Sequence, residues 1–414
     1  MRRLTFSLAA FGLLGASLAL TGCPANTGDA TVIKIVSSLP RTGSARAQTD
    51  TIVNGIEMAL DEAGNKVGAY RIVYEDMDDA TASAGQWTAE AETGNAQRAA
   101  SDPDVMVYIG TYNSGAAKVS MPILNRAGLL MVSPANTAVE LTKPGLGEAN
   151  EPDIYRPSGT VTYFRVVPAD DIQGPLSADW AQEMGVEKVY VLDDKQVYGR
   201  GLARLFAERC KEIGIEVLGH ESIDDKASEF RSLMTTIDRL GPDLVYFGGT
   251  TQSKAGQIAK DLVASGSEAR LMVPDGCYEN AFIASAGADN LNGRCYVTFG
   301  GMPPSELTGD GAEFVKRYRA KYDSDPEAYA VYGYEAAKVA LEALRIAGTK
   351  DRAAIVAACA GIRDFNGALG TWSFDENGDT TLVAASGNIV EDGAFKFVKS
   401  LSEQPAEAET AAAR

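Results

Sequence analysis

Histidine is nearly absent from this sequence, since His220 is the single one among 414 residues. A zinc site built on two histidines is therefore excluded, and so is the metalloprotease pattern H-E-x-x-H. The chain also lacks the serine-nucleophile patterns G-x-S-x-G and S-x-x-K and the phosphate-binding loop G-x-x-x-x-G-K-[ST]. We therefore expect no enzyme, no metal site and no cofactor, and we interpret His220 as a solvated loop residue.

Basic residues are outnumbered, because 38 Lys and Arg stand against 56 Asp and Glu and give a net charge of −18. No block rich in Lys and Arg follows the arginines at positions 2 and 3, so we expect no nucleic-acid partner. With so many carboxylates, neighbours such as Asp193 and Asp194 arise by chance. They favour a solvated face over an acid–base pair.

Long apolar runs are confined to residues 4–20, directly after those two arginines. A charged start followed by about 17 apolar residues is typical of a secretory signal peptide and is shorter than the ~20 residues of a membrane-spanning helix. The run ends in Leu20-Thr21-Gly22-Cys23, which resembles the bacterial lipobox, in which the cysteine thiol is acylated. We expect a signal peptide over 1–22, lipidation of Cys23 and a polar tether over 23–30. The protein would then be exported and lipid-anchored to the outer face of the cytoplasmic membrane or in the periplasm.

Cysteines are few, and four remain beside Cys23, which is an even number for an oxidising compartment. Cys277 and Cys295 lie near each other in the sequence. One follows a predicted strand and the other begins the next strand, which can place them at opposite sheet edges, too far apart for a bridge. The sequence is therefore compatible with a disulfide between Cys277 and Cys295 and equally with two free thiols.

Short apolar runs alternate with amphipathic stretches along most of the chain, as in the predicted strand 32–36 and the predicted helix 50–63. Further strands are predicted at 71–74, 105–109, 129–132, 188–192, 215–218, 244–247 and 271–273. Strands that are apolar throughout, with helices between them, indicate parallel sheets covered on both faces. This many strands predicts two doubly wound α/β domains, in which ligands bind beyond the carboxyl ends of the strands.

Several segments in the same order carry a resemblance to a known family. They are Pro40-Arg41-Thr42-Gly43, 108–114, 128–137, Gln173-Gly174-Pro175, 194–199, 245–249, Pro274-Asp275-Gly276 and 372–379. With them the chain resembles the leucine/isoleucine/valine-binding proteins among the type I periplasmic binding proteins, over about residues 32–398. The resemblance implies two Rossmann-like lobes joined by three crossover segments, near 164–167, 297–300 and 368–370. Lobe 1 then comprises 31–165 and 299–368, and lobe 2 comprises 166–298 and 369–400, before a disordered tail over 401–414.

The resemblance also implies a function. A protein of this kind captures a small solute by closing its cleft and delivers it to the permease subunits of an ABC transporter, and we expect a monomer. The ligand implied is an amino acid, either branched-chain or small and polar. A receptor for urea, an amide or another small solute is an alternative, and so is a ligand sensor for a membrane receptor.

Carried over residue by residue, Ser114, Ala135 and Thr137 match the positions that bind the α-carboxylate and ammonium of an amino acid. Asn113 stands where the family often has another small residue. The residues agree on their own terms, since Ser114 follows a predicted strand and precedes the predicted helix 116–126. Its hydroxyl and the first helical N–H groups then converge on an anion at the positive end of the helix dipole.

Asp275 matches the acidic position that pairs with the ligand's ammonium, where the family often has the longer Glu. Tyr198 and Tyr329 match aromatic positions that line the cleft. Two departures make the pocket more polar, because Thr250 and Gln48 replace aromatic residues of the leucine-binding members. A small or polar amino acid is therefore as consistent with this sequence as leucine.

Overall fold

The computed structural model describes Met1, Asp29 and residues 31–401. The remainder of the predicted signal peptide, Cys23 and the residues after 401 lie outside the described part of the chain. Leu401, which the sequence assigns to a tail, is the last residue of a strand. Within residues 31–401, no helix combines the length and the apolar character that a membrane crossing needs.

The strands fall into two main sheets and one short pair. In chain order they are β1 Val32–Leu39, β2 Lys66–Val67, β3 Tyr70–Asp78, β4 Val105–Gly110, β5 Leu130–Ser133, β6 Tyr163–Arg165, β7 Lys188–Asp193, β8 Glu216–Ser222, β9 Leu244–Gly248, β10 Arg270–Val273, β11 Cys295–Phe299, β12 Phe365–Gly367, β13 Gly370–Trp372, β14 Ala385–Glu391 and β15 Ala394–Leu401. Each predicted strand is present, with its bounds shifted by a few residues.

The helices occupy the segments between these strands. They are α1 Arg46–Glu62, α2 Ala89–Ser101, α3 Ser114–Arg126, α4 Asp170–Glu183, α5 Val197–Glu212, α6 Arg231–Asp238, α7 Ala255–Ala264, α8 Asn280–Ala286, α9 Gly309–Tyr322, α10 Ala330–Ala347 and α11 Arg352–Ala360. Helix α1 packs against α10, so a segment from the second half of the chain completes the first lobe.

The two main sheets confirm the doubly wound α/β fold. The first has the order β2-β3-β1-β4-β5-β6 and is parallel except for β2. The second has the order β15-β14-β11-β10-β9-β7-β8 and is parallel from β11 to β8, with the hairpin β14–β15 added antiparallel at one edge. Strands β4 and β9 are buried along their whole length, as strands covered by helices on both faces must be.

The chain passes between the lobes after β6 and again after β11, near the first two predicted crossings. The third crossing lies later than predicted. Strands β12 and β13 pair with each other across the predicted boundary at 368, and Phe374 packs on Phe164 of the first lobe with ring centroids 5.0 Å apart. Asp379 still pairs with Arg165 at 2.7 Å. The chain enters the second sheet only at Ala385, so the structure differs from the predicted lobe 2 segment 369–400.

A buried glutamate explains why this segment stays with the first lobe. Glu335 on α10 accepts the indole N–H of Trp372 at 2.7 Å and the backbone N–H of Ala368 at 2.9 Å. A buried carboxylate left without these donors would be costly, so the contacts tie the β12–β13 pair to α10.

The four cysteines of the described chain, Cys210, Cys277, Cys295 and Cys359, are free thiols and are buried. Cys295 pairs with Leu271 at the start of β10, whereas Cys277 follows the end of that strand. Cys277 therefore lies beyond the carboxyl end of β10 and Cys295 lies beside its amino end, and the structure contains no Cys277–Cys295 disulfide among its described residues.

Candidate functional site

A small cavity lies between the lobes, at the carboxyl ends of strands from both sheets. Its lining residues are Tyr112, Asn113, Ser114, Ala135, Tyr198, Thr250, Asp275, Gly276 and Tyr329. The cavity is small, because only about 20 Å³ is open to the centre of a water molecule. The lobes are thus closed on each other, and seven of the nine predicted ligand-binding residues meet in one place.

Ser114 and its neighbours form the lobe 1 side of the cavity. Ser114 is the first residue of α3, after the extended Asn113, and its side chain is buried. The N–H groups of a first helical turn have no partner within the helix, so they favour an anion at this position. The Ser114 hydroxyl already accepts the N–H of Ala138 at 3.3 Å, which leaves its own hydrogen available to a ligand.

Asp275 is the charged group of the cavity and comes from lobe 2, just after β10. The Tyr198 hydroxyl donates to one carboxylate oxygen at 2.7 Å, and the Tyr329 hydroxyl donates to the other. Burial raises the pKa of Asp275, and the two tyrosine hydrogen bonds oppose that rise. An ionised carboxylate here lacks a cationic partner among the cavity residues, so it is suited to a cationic ligand group.

Two further buried acceptors, Asp170 and Gln173, belong to α4 and lie outside the cavity lining. Asp170 begins α4 and donates its backbone N–H to the carbonyl of Thr137 at 2.9 Å, yet both of its carboxylate oxygens are buried without a partner among the described residues. Burial, and after it the charge of Asp275, raises the pKa of Asp170. The Gln173 Oε1 atom is likewise buried and unpaired within residues 31–401. The raised pKa favours the neutral form of Asp170, so these oxygens supply buried hydrogen-bond acceptors rather than charge.

Thr250 is positioned by a short relay of hydrogen bonds. Its backbone N–H donates to the Ser253 hydroxyl at 2.9 Å, and that hydroxyl donates to Asp194 at 2.7 Å. Burial raises the pKa of Asp194 to about 7. The turn after β9, which carries the predicted site residue Thr250, therefore opens onto the cleft, and Asp194 is a buried structural acceptor rather than part of a solvated face.

Thr137 and Gln48 do not line the cavity. Thr137 is buried, with its hydroxyl unpaired among the described residues. Gln48 is buried within α1, where its amide donates to the carbonyl of Tyr278 at 3.3 Å and accepts the N–H of Tyr329 at 3.4 Å. Gln48 thus hydrogen-bonds the backbone of both lobes and lies outside the cavity lining.

Tyr112 and Gly276 line the cavity although the sequence did not single them out. Tyr112 packs edge-on against Tyr329, with centroids 6.0 Å apart. A Cβ atom at Gly276 would lie 2.9 Å from the Thr250 methyl group and 3.0 Å from the Tyr198 ring, so only glycine fits there. Both residues adjoin predicted site residues in the sequence, and that adjacency was the available signal.

Several polar contacts cross the cleft around the cavity. Asn113 donates to Gln252 Oε1 at 3.2 Å, and Gln196 donates to Gln86 Oε1 at 3.4 Å. The side chains of Asn280 and Glu327 join the lobes at 2.8 Å. His220, in contrast, lies on β8 away from the cavity, 2.9 Å from the Asp193 carboxylate. It is exposed, as predicted, but it belongs to a strand and not to a loop.

A larger hollow lies on lobe 1, at the far end of α1 from Gln48. It encloses about 960 Å³ between α1, β2, α10 and the residues before β12, and charged side chains such as Lys66 and Arg363 line it. It is a wide surface groove, and no buried polar atom without a partner lies among its lining residues. The cavity between the lobes is therefore the better binding site.

Comparisons with known proteins agree with this geometry. The periplasmic binding protein family matches residues 32–389. A Leu/Ile/Val-binding protein homolog from Brucella abortus is 29% identical over 369 residues, which cover 86% of this chain and 91% of that protein. An amino acid binding protein from Pseudomonas aeruginosa is 28% identical over 259 residues, covering 62% and 64% of the two chains.

A solved leucine-binding protein from Thermotoga maritima superimposes with a TM-score of 0.79 at 26% identity, over 90% of this chain and 99% of that one. These matches confirm the resemblance inferred from the motifs and the two-lobed α/β fold. The family match alone covers most of the chain, from the first strand to β14. The chain therefore belongs to the periplasmic binding protein family.

Proposed function

We propose that this protein captures an amino acid between its two lobes and delivers it to an ABC importer. The observation that carries the proposal is the pairing of a buried carboxylate, Asp275, with the hydroxyl and helix N-terminus of Ser114 across one closed cavity. A zwitterion matches this arrangement, with its ammonium toward lobe 2 and its carboxylate toward lobe 1. The protein acts by binding and release, without chemistry of its own.

The energetics of burial support a ligand with an ammonium group. A hydrogen bond to a charged group is worth about 1.5–3 kcal/mol, and it gains from a site that excludes water. The Ser114 hydroxyl and the first N–H groups of α3 offer the matching donors for a carboxylate. The relatives from Brucella and Pseudomonas, which are named for amino acids, are consistent with this chemistry.

The fold by itself does not select an amino acid. A solute-binding protein of Rhodopseudomonas palustris in complex with benzoate has a TM-score of 0.75 at 21% identity. An aromatic acid, urea or a simple amide brings no cation to Asp275. Such a ligand would leave that buried carboxylate uncompensated, so the charge of the cavity favours the amino acid.

Mass spectrometry of the solute released by denaturing the purified protein tests the proposal directly. We expect an α-amino acid, and calorimetry with that compound should reproduce binding in the refolded protein. A released solute that lacks an amino group, or binding of such a solute in preference to every proteinogenic amino acid, would overturn the proposal.

We further propose that the mature protein is monomeric and is anchored outside the cytoplasmic membrane through acylated Cys23, where it meets the permease subunits. The family is extracytoplasmic, and Leu20-Thr21-Gly22-Cys23 supplies the acylation motif. Stable anchoring takes more than one acyl chain, because a single chain binds only marginally. Labelled palmitate should enter the wild-type protein in a bacterial host and not the Cys23→Ala variant. Absence of label in the wild type would exclude the anchor.

A further inference from the structure

The wall of the cavity is polar for a site that receives an amino acid side chain. Among its lining residues the only purely aliphatic side chain is the methyl group of Ala135, while three tyrosines, Asn113, Ser114, Thr250 and Asp275 carry polar atoms. Branched aliphatic side chains bind well in pockets that are lined mainly by apolar groups. The wall described here offers little such surface beyond the faces of the tyrosine rings.

One contact across the cleft leaves two complementary atoms unpaired. Asn113 from lobe 1 donates its amide N–H to the Oε1 atom of Gln252 from lobe 2, at 3.2 Å. The Oδ1 atom of Asn113 and the Nε2 atom of Gln252 are both buried, and neither has a hydrogen-bond partner among the described residues. Asn113 lines the cavity, and Gln252 adjoins that lining through this hydrogen bond. A buried polar atom without a partner costs free energy, so these two atoms call for a ligand that supplies one donor and one acceptor.

Resting on the proposed function, we propose that the ligand is a small amino acid whose side chain carries a neutral donor and acceptor, as a hydroxyl or a carboxamide does. Its donor would bond the Asn113 Oδ1 atom, and its acceptor would receive the Gln252 N–H. Because the two residues belong to different lobes, this side chain completes a bridge that exists only in the closed form. An aliphatic side chain would bury both atoms unpaired, which is how a polar site rejects an apolar isostere.

Pairs of amino acids with side chains of the same shape distinguish a hydroxyl from a carboxamide as the polar group of the ligand. Threonine and valine differ by a hydroxyl in place of a methyl group, and asparagine and leucine differ in the same way by a carboxamide in place of an isopropyl group. We expect calorimetry on the wild-type protein to show at least one polar member bound more than tenfold tighter than its apolar isostere. Preference within the threonine pair assigns a hydroxyl, and preference within the asparagine pair assigns a carboxamide.

Two variants test whether Asn113 and Gln252 cause that preference. Asn113→Leu and Gln252→Met keep the approximate side-chain volume and remove the amide, so each should bring the polar-to-apolar affinity ratio toward one. Gln86→Met is the matched control, because the Gln86–Gln196 amide contact also joins the lobes but has both members outside the cavity lining, whereas Asn113 belongs to that lining and Gln252 bonds Asn113. It should change the affinities of both isosteres by the same factor. A ratio measured on one preparation is independent of the folded fraction.

Equal or tighter binding of valine and leucine by the wild-type protein would overturn this inference and leave the proposed function intact. A polar preference that survives in both amide variants would also overturn it. Failure of every amino acid to bind would instead refute the proposed function, so the two failures are distinguishable.

Discussion

Replacing Asp275 with Asn should weaken ligand binding more than any other single change in the cavity. The variant preserves the side-chain volume and removes the charge of a residue that is 3% exposed. Leaving a buried ammonium without its anion costs about 2–5 kcal/mol, which corresponds to roughly 30-fold to several thousand-fold in affinity. Ser114→Ala should cost less, about 1–3 kcal/mol, because the N–H groups of α3 still hold the carboxylate.

The fold itself should tolerate the Asp275→Asn change. Folding buries the Asp275 carboxylate without a cationic partner from the cavity, and burial raises its pKa accordingly. Removing that charge relieves a cost of the folded protein, so the melting temperature should not fall. Asp261→Asn is the matched control for ligand binding. Asp261 is also a buried carboxylate of lobe 2, but it lies on α7 outside the cavity lining, where it accepts the N–H of Phe230.

Calorimetry across a pH series measures the effect and its cause together. The ionised carboxylate binds the ammonium, so the wild-type affinity should weaken as the pH falls through the raised pKa of Asp275, and the Asn variant should lose that dependence. Binding by Asp275→Asn within about threefold of wild type, a change under ~0.7 kcal/mol, would refute the ion-pair reasoning and leave Asp275 a structural residue.

Three further predictions concern closure, a buried acid and a buried arginine. Saturating ligand should reduce the radius of gyration in small-angle X-ray scattering, and an unchanged radius in a protein that starts open contradicts a site split between lobes. Burial raises the pKa of Glu92 from 4.5 to about 7. The free energy of unfolding from urea titrations should therefore fall as the pH rises between those values, and Glu92→Gln should flatten this slope unless Glu92 ionises normally. Arg165→Met strands the buried Asp379 and should lower the free energy of unfolding by about 3–5 kcal/mol. Arg209→Met is the control, because Arg209 is half-buried and pairs with Asp179, and it should lower the free energy of unfolding by under ~1 kcal/mol. Equal losses in the two variants would contradict the special role of the buried Arg165–Asp379 pair.

The parallel core was predictable because its signal is local. Strands such as β4 and β9 are apolar at nearly every position, which a sheet covered on both faces requires. The hairpin β14–β15 carries no such run, since in β15 the more buried and the exposed residues alternate as at a sheet edge. Continuous apolar runs therefore do not predict this hairpin.

The site was predictable where a motif fixes a residue at the end of a strand, as for Ser114 and Asp275. It was not predictable where the outcome depends on contacts distant in the sequence. Gln48 is held outside the cavity lining because its amide bonds the backbone of both lobes, and its partner Tyr278 is 230 residues away in the sequence. The late third crossing likewise depends on Glu335 of α10, which accepts the indole N–H of Trp372 on β13.

The hydrogen bonds between the lobes have a consequence for how often the protein closes spontaneously. The Gln196–Gln86, Asn280–Glu327 and Gln48–Tyr278 contacts join protein groups to each other, so they favour closure at any ligand concentration. Each contributes modestly, on the order of 0.5–1.5 kcal/mol. The apparent dissociation constant equals the intrinsic one divided by the fraction already closed. Strengthening these contacts would tighten ligand binding. It would also increase the amount of closed protein that carries no ligand. A transporter that recognises the closed shape would then bind this unloaded protein more often.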